Sequence, residues 1–138
     1  MFDFLKIQVF PEVNGVVTMN DQPVEGASVK LLYDYNDKKN IMKTVTKKDG
    51  GFHFPEKNIL TLLKLLPFEI HVHQQIFINY NHVEYTAWSA SKHKHGIDTE
   101  ISKKLNHLNC ELTNEEINQF FDSNHRKYIT YGLARWTS

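Results

Sequence analysis

Four histidines are the residues whose type and spacing best suit chemistry: His71 and His73 flank Val72, and His93 and His95 flank Lys94. On an extended strand, residues two apart point to the same side, so each pair could offer two imidazoles to one Zn²⁺ at about 2.0–2.1 Å. That arrangement would make a metal-binding protein or a metal-dependent hydrolase. The lysine-rich setting of the second pair, Ser91-Lys92-His93-Lys94-His95, equally describes solvated histidines on a sheet face and in a polar loop. On that second description no cofactor is expected; on the first, zinc is the candidate. Other chemistries find few residues. The one cysteine, Cys110, provides no disulfide, no Cys-x-x-Cys pair and no thiolate zinc site, and suits a small buried hydrophobe. Asp98 and Glu100 lie in a polar stretch, while Glu115 and Glu116 have a capping role. A P-loop, a nucleophile elbow, a His-Glu-x-x-His pair, a Rossmann glycine pattern and an EF-hand loop are all absent from the chain.

A second set of residues suits recognition rather than catalysis. Interfaces are anchored by a few desolvated aromatic or Arg side chains, and the candidates are Phe77, Trp88, Arg135 and Trp136. Leu62 and Leu65 join them from the apolar run Ile59 to Leu66. Phe77 and Trp88 depend on a hairpin, Ile70 to Tyr80 and Val83 to Ser89, turning at Asn81-His82, two residue types that tolerate positive φ. With Tyr80 opposite Val83, alternation puts Val72, Ile76, Ile78, Val83, Tyr85 and Ala87 on the core face. The outer face then carries His71, His73, Gln75, Phe77, Asn79, Glu84, Thr86 and Trp88. This register sets Trp88 opposite Gln75 and Lys92 opposite His71. If instead the C-terminal segment folds back over that face, the aromatics become core.

The elements before the hairpin read as short strands. Leu5, Ile7 and Val9 alternate up to Pro11; Val13 to Met19 runs to the turn Asn20-Asp21-Gln22-Pro23. Ala27 to Tyr35 and Ile41 to Lys47 follow, separated by a polar loop from Asn36 to Asn40. Lys48-Asp49-Gly50-Gly51 supplies hairpin turn chemistry, and Phe52 and Phe54 face inward on the next strand. The residues Val13, Gly15, Val17, Pro23, Val24, Gly26, Ala27 and Val29, followed by Asp49, Gly50, Phe52 and Phe54, resemble the signature of carboxypeptidase-regulatory-like domains. These domains belong to the transthyretin-like sandwich group, and the resemblance covers about residues 9–55. It implies a mainly β fold, a Greek-key-like antiparallel β-sandwich of about seven strands, and no particular chemistry. The 5-hydroxyisourate hydrolases of that group use a His/Arg/His set and a Tyr-Arg-Gly-Ser tail. Here the first strands hold no histidine and Arg135 is followed by Trp136-Thr137-Ser138, so that activity is not expected.

Helical additions are expected at two places. Asn58 can cap a short helix near residues 59–66, and Thr113-Asn114-Glu115-Glu116 forms a capping box before Ile117, Phe120 and Phe121, predicting a helix near 114–122. Lys127 to Tyr131 suits a last strand. The whole chain, 1–138, fits one domain: a sandwich core over 4–90 and C-terminal additions over 91–138. Its 16 basic and 16 acidic residues balance, so no net field favours nucleic acid. No run approaches the roughly 18 apolar residues of a membrane span, and the start lacks a signal-peptide pattern; a cytoplasmic protein is expected. Together these features predict a non-enzymatic protein-binding module. In style, a familiar β scaffold with additions of its own, the chain is similar to immunity proteins that inhibit antibacterial secreted toxins of the type VI kind. The alternatives are the histidine metal site and a carbohydrate- or envelope-binding module with Phe77, Trp88 and Trp136 stacking on sugar.

Overall fold

The computed structural model describes residues 6–35, 38–60, 72–92, 105–122 and 125–136, and nearly all of them are strand. The protein is a mainly β sandwich. Alternating side chains dictate the strands: in Ser28–Tyr35 (β4) Val29, Leu31, Tyr33 and Tyr35 are buried while Lys30, Leu32 and Asp34 are only half-buried. In Val72–Tyr80 (β8) Val72, Gln74, Ile76 and Ile78 take the buried side. Lys38–Val45 (β5) pairs with all eight residues of β4, which on its other side pairs antiparallel with β8. Val83–Lys92 (β9), His125–Gly132 (β12) and Ile117–Asp122 (β11) complete a six-stranded sheet in the order β11-β12-β9-β8-β4-β5.

The facing sheet is built on Val13–Met19 (β2). It pairs antiparallel with Gln22–Pro23 (β3) and Gly51–Phe54 (β6), and parallel with Leu108–Glu111 (β10), which also pairs with Arg135–Trp136 (β13). Lys6–Phe10 (β1) and Lys57–Leu60 (β7) form a separate antiparallel ladder. Val13, Val17, Phe52, Phe54, Leu108 and Cys110 from the second sheet pack with the buried faces of β4 and β8 in one core. Phe52 and Phe54 are each 3% exposed, as their strand pattern predicts. One buried polar group ties β1 to this core: Gln74 Nε2 donates to the Val9 carbonyl at 2.9 Å.

Several expectations change. The segment 117–122, predicted as helix, is β11 in antiparallel register with β12. Its capping carboxylate is used elsewhere: the Thr86 N–H donates to Glu116 Oε1 at 2.7 Å and the Tyr131 hydroxyl to Glu116 Oε2 at 3.2 Å. Of the helix predicted near 59–66, Ile59 and Leu60 belong to β7, and the remainder lies outside the described residues. The turn after β2 is Asn20-Asp21 alone, with φ of 53° and 64°, and Gln22–Pro23 is already strand. The strand expected from Ile41 starts earlier, at Lys38. Residues 105–136 are also more than additions, because Leu105, Leu108, Cys110, Leu112, Leu133 and Ala134 sit in the common core. These differences raise the strand count above about seven; thirteen are found among the described residues.

Candidate functional site

The hairpin of β8 and β9 turns at Asn81-His82, with φ of 52° and 63°, and Tyr80 lies opposite Val83 as expected. Between that turn and the far end, the register slips. Phe77 pairs with Thr86 but Ile76 pairs with Trp88, leaving Ala87 as an extra residue in β9, a β-bulge. A shift of one residue exchanges the faces of everything beyond it. Trp88 therefore leaves the outer face, lies opposite Ile76 rather than Gln75, and is 1% exposed. Lys92 likewise lies opposite Val72, not His71.

The C-terminal segment holds the bulge in place. The Leu133 and Ala134 N–H groups donate to the Thr86 and Ala87 carbonyls, both at 3.0 Å. Gly132 sits against the Ala87 carbonyl with φ +146°, a close approach that leaves no space for a Cβ. Trp136 then meets Trp88 edge to face, with ring centroids 5.7 Å apart. Arg135 caps this corner: its Nη1 donates to the carbonyls of Gly132, Leu133 and Ala134, and its Nη2 to the Glu115 carbonyl at 3.0 Å. Of the recognition candidates, Trp88, Arg135 and Trp136 are thus parts of a packed corner, and the outer-face position expected for Trp88 is corrected. A sugar-stacking surface made by Phe77 and both tryptophans goes with it.

Phe77 does face outward. It lies beside Lys30 on the neighbouring strand, whose Nζ stands 5.3 Å from the ring centroid in cation–π contact. Lys43 of β5 is the next residue across. Ser28, Lys30, Lys43, Phe77, Asn79 and Glu84 line a shallow hollow of about 190 Å³. Along the same face β5 presents Ile41 and Val45, 52% and 59% exposed, with Leu32 opposite Ile41. The result is a band of aromatic and aliphatic side chains set among lysines. Sequence reasoning found Phe77 and missed Lys30, Ile41, Lys43 and Val45. The signal was the alternation Lys39, Ile41, Lys43, Val45, which needed the β4 register to join it to Phe77.

A larger cleft of about 470 Å³ lies over β2, β6 and β10, where Gly51 faces Val16. Its polar groups are partly occupied with one another. Asn14 Nδ2 donates to Asn106 Oδ1 at 2.7 Å, and His53 Nε2 stands 3.3 Å from Glu12 Oε2. Two reactive groups of β10, the Cys110 thiol and the Glu111 carboxylate, are committed to structure. Burial pushes the Cys110 thiol up to about 12. At Glu111 desolvation would raise the carboxyl, yet donors from the Asp21 and Thr113 backbone, the Thr113 hydroxyl and the Asn20 backbone together hold it down at about 2.

Of the histidine set, His73 is described, with Nδ1 3.1 Å from Ser91 Oγ. His71, His93 and His95 lie outside the described residues, as do Leu62 and Leu65. Among the described residues no group of three or more His, Cys, Asp or Glu is arranged to hold a metal ion. No described helix is long and apolar enough to cross a membrane.

Compared with known families, residues 13–115 match a family model described as a domain of unknown function, DUF6795. The chain belongs to that family. No curated protein and no solved structure matches it. The DUF6795 match takes in β2 to β10, and so includes the Phe77 face and the bulged strand. It stops before β11, so the segment that seals Trp88 in this DUF6795 protein comes from residues beyond the match.

Proposed function

We propose that this DUF6795 protein is a non-enzymatic protein-binding domain, of the kind that acts as an immunity-type inhibitor of a secreted toxin. The observation that carries the reading is the outward band around Phe77, where an aromatic ring under Lys30 adjoins exposed Ile41 and Val45. Soluble domains bury such residues or use them; an apolar band rimmed by charge is the composition of an interface. The non-catalytic half is supported by how the reactive groups are held, with the Cys110 thiol buried and the Glu111 carboxylate engaged by four backbone and hydroxyl donors of two turns. The resemblance of residues 9–55 to carboxypeptidase-regulatory-like domains agrees with this, since its matching positions are turn formers and core hydrophobes.

The test is affinity capture from the source organism followed by titration of the captured protein, identified by mass spectrometry. Phe77→Ala should weaken binding by at least about 2 kcal/mol, about thirtyfold, while leaving Tm nearly unchanged. If the captured protein is a toxin, co-expression of the wild-type domain should restore growth and Phe77→Ala should not. A bait that enriches nothing beyond an unrelated β-sandwich control would overturn the reading.

A further inference from the structure

We propose that the outer edge of β5 takes an acidic, extended segment of the partner as an added strand, an inference that rests on the protein-binding reading. β5 is the last strand on its side of the six-stranded sheet, and among the described residues nothing pairs with its outer edge. Edge strands usually protect themselves with a bulge, a proline, brevity or charge. β5 has eight residues, no proline and an unbroken register with β4, whereas the opposite edge strand, β11, carries an irregularity between Phe120 and Asp122. Only lysine guards β5: Lys39 and Lys43 alternate with Ile41 and Val45 on the face that continues into Phe77.

Charge decides the occupant. Among the described residues neither Lys39 nor Lys43 makes an ion pair, and Lys43 lies opposite a second cation, Lys30. Asp34 lies opposite Lys39, and Glu84 lines the hollow with Lys43. A second copy of the chain would bring two more lysines to the same edge, directly opposed as Lys39 against Lys43 in the antiparallel register centred on Ile41, and like charges so placed are unfavourable. A segment alternating acidic and aliphatic residues reverses that sign: its carboxylates meet Lys39 and Lys43, and its aliphatic side chains cover Ile41 and Val45. Main-chain hydrogen bonds would supply affinity and these side chains selectivity, as in strand addition generally.

Two end-blocked peptides test this on the full-length protein, one alternating Glu and Val and the other Lys and Val. The Glu–Val peptide should bind at least about tenfold more tightly, with affinity falling as salt rises. A strand added at one edge uses only alternate N–H groups of the peptide. N-methylation of one alternate set should therefore abolish binding, and methylation of the other set should leave it intact. Lys39→Glu with Lys43→Glu should switch the preference to Lys–Val, with an unchanged far-UV spectrum showing that the fold persists. Equal loss from both methylation sets, or no binding by the Glu–Val peptide, would overturn strand addition at β5. A captured partner that still depends on Phe77 would leave the protein-binding reading standing in that event.

Discussion

Glu111 holds the Asn20-Asp21 turn against the end of β10 by its charge. Its carboxylate accepts from the Asp21 N–H at 2.8 Å, the Thr113 N–H at 2.9 Å and the Thr113 hydroxyl at 2.7 Å. The group titrates near 4.5 when unperturbed and at about 2 in the fold. Between those values the unfolded chain binds more protons than the native one, so stability from this contact is present above the upper value and is lost as pH falls through the lower. Glu111→Gln should therefore flatten the decline of stability with acid between about pH 4.5 and about pH 2, read from urea midpoints. An unchanged slope in the variant would mean the carboxylate is not acting through its charge. Cys110 makes the complementary case. With its thiol pushed up to about 12 by burial, it should resist a soluble thiol reagent at neutral pH and react only on unfolding; prompt labelling of native protein would contradict its place in the core.

At the scale of elements, the bulge at Ala87 explains both what the sequence could convey and what it could not. The strands up to Phe54 are legible because turn residues and alternating hydrophobes act locally: Asn20-Asp21 and Gly50 take positive φ where the sequence suggests turns, and Phe52 and Phe54 face the core. The hairpin turn at Asn81-His82 was legible for the same reason. Nothing near Ala87 marks the extra residue, because what stabilises it comes from Gly132, Leu133 and Ala134, far along the chain. The face of Trp88 was thus beyond local reasoning, whereas Phe77 and His73 lie on the outward side expected of them, because the extra residue is in β9 and leaves the alternation of β8 intact. The helix expected at 114–122 failed through a related competition, since Glu116 serves the Thr86 N–H rather than its own helix start. Two substitutions test this account. Trp88→Ala should cost about 3–5 kcal/mol, as a buried tryptophan does, in chemical denaturation. Gly132→Ala should also destabilise the fold, by about 1–3 kcal/mol or more, because it adds a Cβ at a positive φ where the Ala87 carbonyl already lies. Wild-type stability in Gly132→Ala would mean that the corner is not held as described.

Across the whole molecule, the C-terminal segment pairs with β9 in one sheet and with β10 in the other, so the chain's last described residues join the two layers. That closes the side of the sandwich at Trp136 and leaves β5, among the described residues, without a partner on its outer side at the other end of the large sheet. The formal charge of the whole chain is zero, and such a protein has little general repulsion to keep copies apart. Protection must then be local, and Lys39 and Lys43 are where it lies: they sit among exposed Ile41 and Val45 on an eight-residue strand in unbroken register with β4. Lys39→Ser with Lys43→Ser removes that guard while taking 16 basic residues to 14 against 16 acidic, a net charge of −2. Raising the magnitude of net charge ordinarily favours solubility, so the global and local arguments predict opposite outcomes. If the edge governs, the double variant should self-associate at concentrations where the wild type does not, measured by multi-angle light scattering. Raising salt should push the wild type the same way as its lysines are screened. A variant that stays as monodisperse as the wild type would show that the edge is protected by something other than these two charges.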